Sequence, residues 1–272
     1  MGETKIKKIY ILDFGEISAD FGWFIPNPST LSEKDISKPR NWITVPVTGV
    51  LIEHKDGNIL FDTGPNPNAT SIWPKQVFEL FPITRFSNEN KLENQLKQVG
   101  FKTEDIDFLI FSHLHLDHVG QAYLFINSNK THIISHKKEL QYALWLIWMG
   151  KIGAYLPSDL EPLKGKNWFT FDGESLELLE GINLYLVGGH TPGSIIMTVN
   201  TGDKNFILAG DFLHLPEELE LEQKGWLLGN AEEYFNNIKK LKLILKKHNT
   251  KIIICHDPKI WDKYPKSPKS LI

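Results

Sequence analysis

Apolar and polar positions alternate along this chain with two different periods, and the switches between them mark out the elements. Ile6 to Asp13 is a β-rich run and predicts a strand. Val45 to Glu53 and Asn58 to Asp62 are two more, joined around Lys55-Asp56-Gly57, and Asp-Gly between such runs is a strong hairpin signal. Residues 88 to 99 predict a helix, because Leu92, Leu96 and Val99 share one face and Gly100 stands where a helix C-terminus favours it. Asp107 to Phe111 is a short apolar run of the kind found in buried strands.

The second half follows the same style. Leu176 to Leu179 and Asn183 to Val187 flank Glu180-Gly181, and Ser194 to Val199 and Asn205 to Leu208 flank Thr201-Gly202-Asp203, giving two further hairpins. Ala231 to Lys247 predicts a helix with Tyr234, Ile238, Leu241 and Leu245 on its core face, and Lys251 to Ile254 a closing buried strand. Strands lead and helices follow in each half, so the expected class is an α/β sandwich of two sheets covered by helices, as one domain over residues 1–272.

Three segments, residues 14–42, 64–87 and 140–167, break the pattern and are expected to be irregular. Their aromatics (Trp23, Phe24, Trp73, Phe78, Phe81, Phe86, Trp145, Trp148 and Tyr155) argue against disorder and suit an apolar pocket or a homodimer interface. Within Lys137 to Lys151, residues 143–149 are apolar almost all round the helical wheel, which predicts burial or an interface.

Composition narrows the classes. Of 272 residues, 41% are hydrophobic and 23% charged, as in an ordinary globular protein. The net charge of −3 gives no overall attraction to nucleic acid or anionic lipid. No apolar stretch approaches the roughly 20 residues of a membrane span, and Ile9 to Leu12 is too short for a signal-peptide core. A single cysteine, Cys255, excludes an internal disulfide and Cys-rich structural zinc sites, so a cytoplasmic setting is expected.

The chemistry concentrates in Ser112-His113-Leu114-His115-Leu116-Asp117-His118-Val119-Gly120, directly after a predicted buried strand. Three imidazoles and a carboxylate within six residues supply the borderline ligands that Zn²⁺ and similar ions prefer. Positions 113 and 115 project the same way from an extended chain. Asp117 and His118 lie past the bend, so two adjacent ions accommodate the four groups more easily than one.

His-Leu-His-Leu-Asp-His resembles the HxHxDH signature of the metallo-β-lactamase-fold hydrolases, and four more motifs follow the family order. They are Phe61-Asp62-Thr63-Gly64, Gly189-His190-Thr191-Pro192-Gly193-Ser194, Ala209-Gly210-Asp211 and Cys255-His256-Asp257. Each alone is an ordinary strand-to-turn sequence; their order over almost the whole chain carries the resemblance. It implies a four-layer αβ/βα sandwich with a dinuclear metal site at one edge. It also implies that His113, His115 and His190 hold one ion, that Asp117, His118 and His256 hold the other, and that Asp211 bridges them. Asp62 is implied to orient a ligand imidazole through its ring N–H. Two divalent ions are expected, Zn²⁺ first, with Fe²⁺, Mn²⁺ or Co²⁺ as alternatives.

Within that superfamily the chain is most similar to the N-acyl-homoserine lactone lactonases, through Val45-Pro46-Val47, the long segment before Asp62-Thr63-Gly64 and the closing His256-Asp257. Two positions depart. Those lactonases usually carry Gly before the last His, where this chain has Cys255, and a Tyr three residues after the bridging Asp, where this chain has His214. The resemblance implies opening of a lactone or related ester by hydroxide held between the ions, with Asp117 or His214 assisting the leaving alkoxide. The expected partner is then a small-molecule lactone or ester. The alternatives are a thioesterase resembling glyoxalase II, and a mono-iron sulfur dioxygenase of the same fold. His115 argues against the diiron redox proteins, which usually have Glu there.

Overall fold

The computed structural model describes residues 4–25, 33, 41–151, 153–246 and 249–272. Its strands are β1 (Ile6–Asp20), β2 (Trp42–His54), β3 (Ile59–Phe61), β4 (Ile83–Arg85), β5 (Phe108–Ile110) and β6 (His132–His136), then β7 (Trp168–Phe171), β8 (Ser175–Leu179), β9 (Ile182–Leu186), β10 (Ile195–Asn200), β11 (Asn205–Leu208) and β12 (Thr250–Ile253). They form a seven-stranded sheet, ordered β4-β1-β2-β3-β5-β6-β7, and a five-stranded sheet, ordered β12-β11-β10-β9-β8. The hairpins β2–β3, β8–β9 and β10–β11 are antiparallel, as their turn residues predict.

Alternation along the strands divides the apolar residues into layers. Ile9, Ile11, Val50, Ile52, Ile59 and Ile110 point into a core shared with Leu184, Met197, Val199, Phe206 and Leu208 of the second sheet. The intervening Tyr10, Leu12, Leu51, Leu60 and Leu109 face outward and are covered by Leu92 and Leu96 of the helix Leu92–Gln98 and by Ala143 of the helix Lys137–Trp148. Ile196 and Ile207 on the far face of the second sheet are covered by Tyr234, Ile238 and Leu241 of the helix Ala231–Leu245. The result is the expected four-layer sandwich of helix, sheet, sheet and helix.

The structure corrects several sequence expectations. β1 continues to Asp20 by means of an irregularity between Asp13 and Glu16. Gly15 sits there at φ +97°, with a Cβ position only 2.2 Å from the Arg85 carbonyl oxygen, so only glycine fits. Residues 26–32 and 34–40 of the expected irregular segment lie outside the described residues, as does Lys247 of the predicted last helix. Residues 64–87 contain two short helices, Ala69–Ile72 and Lys75–Leu80, and the edge strand β4. The helix Lys137–Trp148 buries only Glu139 and Ala143, and leaves Trp145 54% and Trp148 89% exposed. Burial is therefore confined to one face, and of the two expectations for this helix only an interface would cover Trp145 and Trp148.

Candidate metal centre

The seven histidines and aspartates implied as ligands meet at one edge of the sandwich, beyond the ends of β5, β11 and β12 and before the start of β10. β5 ends at Ile110, and residues 112–115 turn over the sheet edge into the short helix Leu116–Val119. From the second sheet, His190 precedes β10, Asp211 follows β11 and His256 follows β12. Nδ1/Nε2 or carboxylate atoms of His113, His115, His190 and Asp211 all lie within 4.8 Å of one another, and so do those of His118, Asp211 and His256 together with Cys255 Sγ. Asp211 belongs to both groups: Oδ2 lies 3.6 Å from His113 Nε2 and 3.4 Å from His190 Nε2, while Oδ1 lies 3.2 Å from both His118 Nε2 and His256 Nε2.

Hydrogen bonds on the far side of each ring decide which nitrogen faces inward. His118 Nδ1 donates to Asp62 Oδ2 (2.9 Å), His256 Nδ1 to the Pro46 carbonyl (2.7 Å) and His190 Nδ1 to the Trp226 carbonyl (3.2 Å). Ser112 Oγ donates to Asp62 Oδ2 (2.8 Å), so it accepts from His113 Nδ1 (3.0 Å). A carbonyl or carboxylate can only accept, so each Nδ1 carries the hydrogen and each Nε2 presents a lone pair. For His118 and His256 the Nε2 atom faces a carboxylate oxygen at 3.2 Å, a pairing that a proton or a metal cation between the two atoms satisfies. His113 Nε2 and His118 Nε2 are buried with no hydrogen-bond partner. These orphaned acceptors, neutral imidazoles and a shared carboxylate fit divalent ions.

The charges agree. Burial holds His113 and His190 well below the usual histidine range and lowers His115 to about 3, so all three are neutral. Burial would raise the Asp211 carboxyl, but the imidazoles of His118, His214 and His256 outweigh it and hold Asp211 well below the ordinary carboxylate value.

Asp62 follows β3 at φ +64°, a left-handed conformation that Asp tolerates better than most residues. The turn aims Oδ1 at the Ser112 amide (2.8 Å) and Oδ2 at Ser112 Oγ and His118 Nδ1. Asp117 lies on the cavity side, its Oδ2 3.6 Å from His256 Nε2 and 3.8 Å from His118 Nε2. His214 is buried, with Nε2 3.1 Å from Asp211 Oδ2 and Nδ1 3.0 Å from Glu218 Oε1. The cavity over the site is walled by Ile17, Phe24, Phe81, Leu116, Ala154 and Trp226, with His115, Asp117, Asp211, His214 and His256 also lining it. Phe81 stacks on Trp226 (centroids 5.1 Å), and Trp226 on His115 (5.5 Å).

Sequence reasoning missed three buried groups. Glu139 accepts from the Leu114 amide (3.0 Å), Tyr155 OH (2.8 Å), Thr191 Oγ1 (2.6 Å) and the Gly193 amide (3.2 Å), so it ties the His113–His115 turn to the loop after His190. Gly193 is needed there because a Cβ would lie 2.1 Å from the Glu139 amide nitrogen. Glu218 and Lys224 form a buried pair at 3.0 Å, and Lys224 Nζ lies 2.8 Å from His214 Nδ1. A charged residue in a helical or acidic stretch gives no sequence signal of burial. Cys255, the position that departs from the lactonase Gly, is buried with Sγ donating to Asp211 Oδ1 at 3.1 Å.

The chain belongs to the metallo-β-lactamase superfamily, whose family model matches residues 42–256. It is similar to the N-acyl homoserine lactonase AiiB of Agrobacterium fabrum, 30% identical over 214 residues that cover 75% of this chain and 76% of that protein. An N-acyl homoserine lactonase of Bacillus cereus is 27% identical over 93% of this chain and 94% of its own. A solved N-acyl homoserine lactone hydrolase, with N-hexanoyl-L-homoserine bound at its catalytic metal centre, superposes with a TM-score of 0.80 at 26% identity, covering 98% of this chain and all of that one. With these relatives the chain is a metal-dependent hydrolase. No helix among the described residues is long and apolar enough to cross a membrane.

Proposed function

We propose that the protein opens the ring ester of N-acyl homoserine lactones, a quorum-quenching activity, using two divalent ions, zinc foremost, centred on Asp211. The supporting observation is the pair of donor groups that share Asp211 beneath an aromatic-walled cavity. His113, His115 and His190 would hold one ion, His118, His256 and Asp117 the other, with Asp211 between them. Ions bound there supply a lowered water pKa and Lewis-acid polarisation of the lactone carbonyl. The chain's residues do the rest. Asp62 fixes the His118 tautomer, and Phe24, Phe81 and Trp226 offer an apolar wall to an acyl chain. The lone buried thiol suits a reducing compartment such as the cytoplasm.

His214 is placed to act as a hydrogen-bond donor. Lys224 Nζ, an obligate donor when charged, faces His214 Nδ1 at 2.8 Å. His214 Nδ1 also faces Glu218 Oε1 at 3.0 Å. Burial and Lys224 lower the ring, but the Asp211 and Glu218 carboxylates outweigh them and raise it above the usual histidine range. The charged ring therefore carries a hydrogen on Nε2 that points toward Asp211 and the cavity. Asp117, on the cavity side, is placed to relay a proton to the leaving alkoxide.

The test is turnover of acyl-homoserine lactones of several chain lengths, beside thioesters and phosphodiesters, by zinc-loaded protein. Ring-opened acyl-homoserine should dominate, and chelation should abolish it until zinc is restored. His214→Ala should reduce lactone turnover by about 10²–10⁴-fold, the usual span of acid–base assistance, with metal content unchanged. Faster thioester than lactone hydrolysis would replace this reading with a thioesterase, and activity dependent on a single iron would replace it with the dioxygenase.

A further inference from the structure

The chain's one cysteine stands where the second group of donor atoms converges. β12 ends at Ile253, and the backbone continues through Ile254 to Cys255 and His256, with Thr48 Oγ1 holding the Cys255 carbonyl at 3.0 Å. Cys255 Sγ is 3.1 Å from Asp211 Oδ1, the same oxygen that lies 3.2 Å from both His118 Nε2 and His256 Nε2. All four atoms lie within 4.8 Å of one another. Tetrahedral bonds of about 2.0–2.3 Å to nitrogen, oxygen and sulfur separate the donors by roughly 3.3–3.8 Å, so the group has close to the size of a filled shell. Independently of the cysteine, His118 Nε2 is fully buried, has no hydrogen-bond partner and faces the same space, because its Nδ1 is committed to Asp62.

We propose that Cys255 is a direct sulfur ligand of the second metal centre, joining His118, His256, Asp117 and Asp211. The inference rests on the reading that the two groups hold divalent ions. On binding, the Sγ–H bond breaks, its proton leaves to solvent, and the sulfur lone pair forms the bond to the ion. Asp117, 3.6 and 3.8 Å from His256 Nε2 and His118 Nε2, stays at ligand separation on the cavity side of the same centre. The two centres are then chemically unlike. His113, His115, His190 and Asp211 form a nitrogen-rich set. The second set includes a soft thiolate, which favours Zn²⁺ or Co²⁺ over the harder Mn²⁺.

The test titrates Co²⁺ into the metal-free full chain and into Cys255→Ala, following absorbance and bound metal together. Wild type should develop an intense sulfur-to-cobalt charge-transfer band in the near ultraviolet as the second ion binds. Cys255→Ala should lack the band, retain the first ion, and bind the second at least about tenfold more weakly, the low end of what loss of an outer partner alone costs. The thiol of zinc-loaded wild type should resist a thiol reagent and react once a chelator strips the metal. Cys255→Gly serves the same comparison should the alanine variant fail to fold. Two bound cobalt ions without the band, or unchanged second-site affinity in the variant, would overturn the proposal. A wild-type chain that binds no second ion fails the dinuclear reading itself, and is told apart from the first outcome by the metal count.

Discussion

Asp62 and Glu139 are both buried carboxylates ringed by donors, one on each side of the site, yet they act on different parts of it. Asp62 touches a ligand ring: Oδ2 takes the His118 Nδ1 hydrogen, while Ser112 occupies the remaining acceptor sites. Glu139 touches no imidazole. It takes the Leu114 and Gly193 amides and the Thr191 hydroxyl from the turns that carry His113, His115 and His190, and the Tyr155 hydroxyl from the loop after the helix Lys137–Trp148. Burial pushes the Glu139 carboxyl up, and the donors from Thr191, Leu114, Tyr155 and Gly193 pull it back. A carboxylate bonded to a ligand sets the tautomer and basicity of that ligand, whereas one bonded to loops sets where the ligands stand. The first should govern metal affinity and the second the stability of the folded edge.

Asp159 sharpens the contrast, since it is a buried carboxylate with no hydrogen-bond partner on either oxygen. Burial alone raises it from 3.8 to about 7. A folded-state pKa above the unfolded one adds stability that is complete below about pH 4 and is lost as pH rises through about 7. At about 1.4 kcal/mol per unit, this shift is worth roughly 4 kcal/mol. Urea unfolding of the chelated protein should show that decline, and Asp159→Asn should flatten it and be more stable than wild type at pH 8. An unchanged pH profile in the variant would mean that Asp159 is solvated.

The same amide-for-carboxylate exchange at the two hubs is the direct comparison. Asp62→Asn should lower metal affinity and turnover by about 10–100-fold, the usual cost of losing the partner of a ligand histidine. Glu139→Gln puts an amide among four donors, so unfolding without metal should cost about 1–3 kcal/mol less than in wild type. Metal affinity should fall less than in Asp62→Asn. Equal losses of affinity at the two positions would erase the distinction. At the small end, Trp148→Ser on the exposed helix face should change stability by no more than about 0.5 kcal/mol. A larger loss, or a change in sedimentation, would show that this face is covered by another protein surface.

What could be read from the chain beforehand follows the same division. Polar motifs at the ends of apolar runs, such as His113 to His118 after β5 and Asp211 after β11, stand out because a buried strand is an unlikely place to stop on a ligand residue. The hairpins were legible through Asp-Gly and Glu-Gly turns. β6 and β7 were not: they are short parallel strands without a tight turn, paired only through the fold. Glu139, Glu218 and Lys224 were also hidden, because local sequence assigns charged residues to solvent and only tertiary packing buries them with partners. The helix Lys137–Trp148 departs in the opposite sense from the burial expected of it, with Trp145 and Trp148 facing outward, where only the interface alternative applies.

Because the site draws on both sheets, it has a history within each round of synthesis. Asp62 emerges from the ribosome first, the His113–His118 turn next, and Cys255-His256 last of all the site residues. A nascent chain that has completed the seven-stranded sheet therefore carries only part of the cage, with the second sheet still to dock. Such a half-built edge exposes imidazoles but lacks the shared Asp211 carboxylate, so it offers adventitious ions only a loose foothold. On the proposed ligand set, the full cage exists only once translation has delivered β12, so metal loading would then test for a completed sandwich.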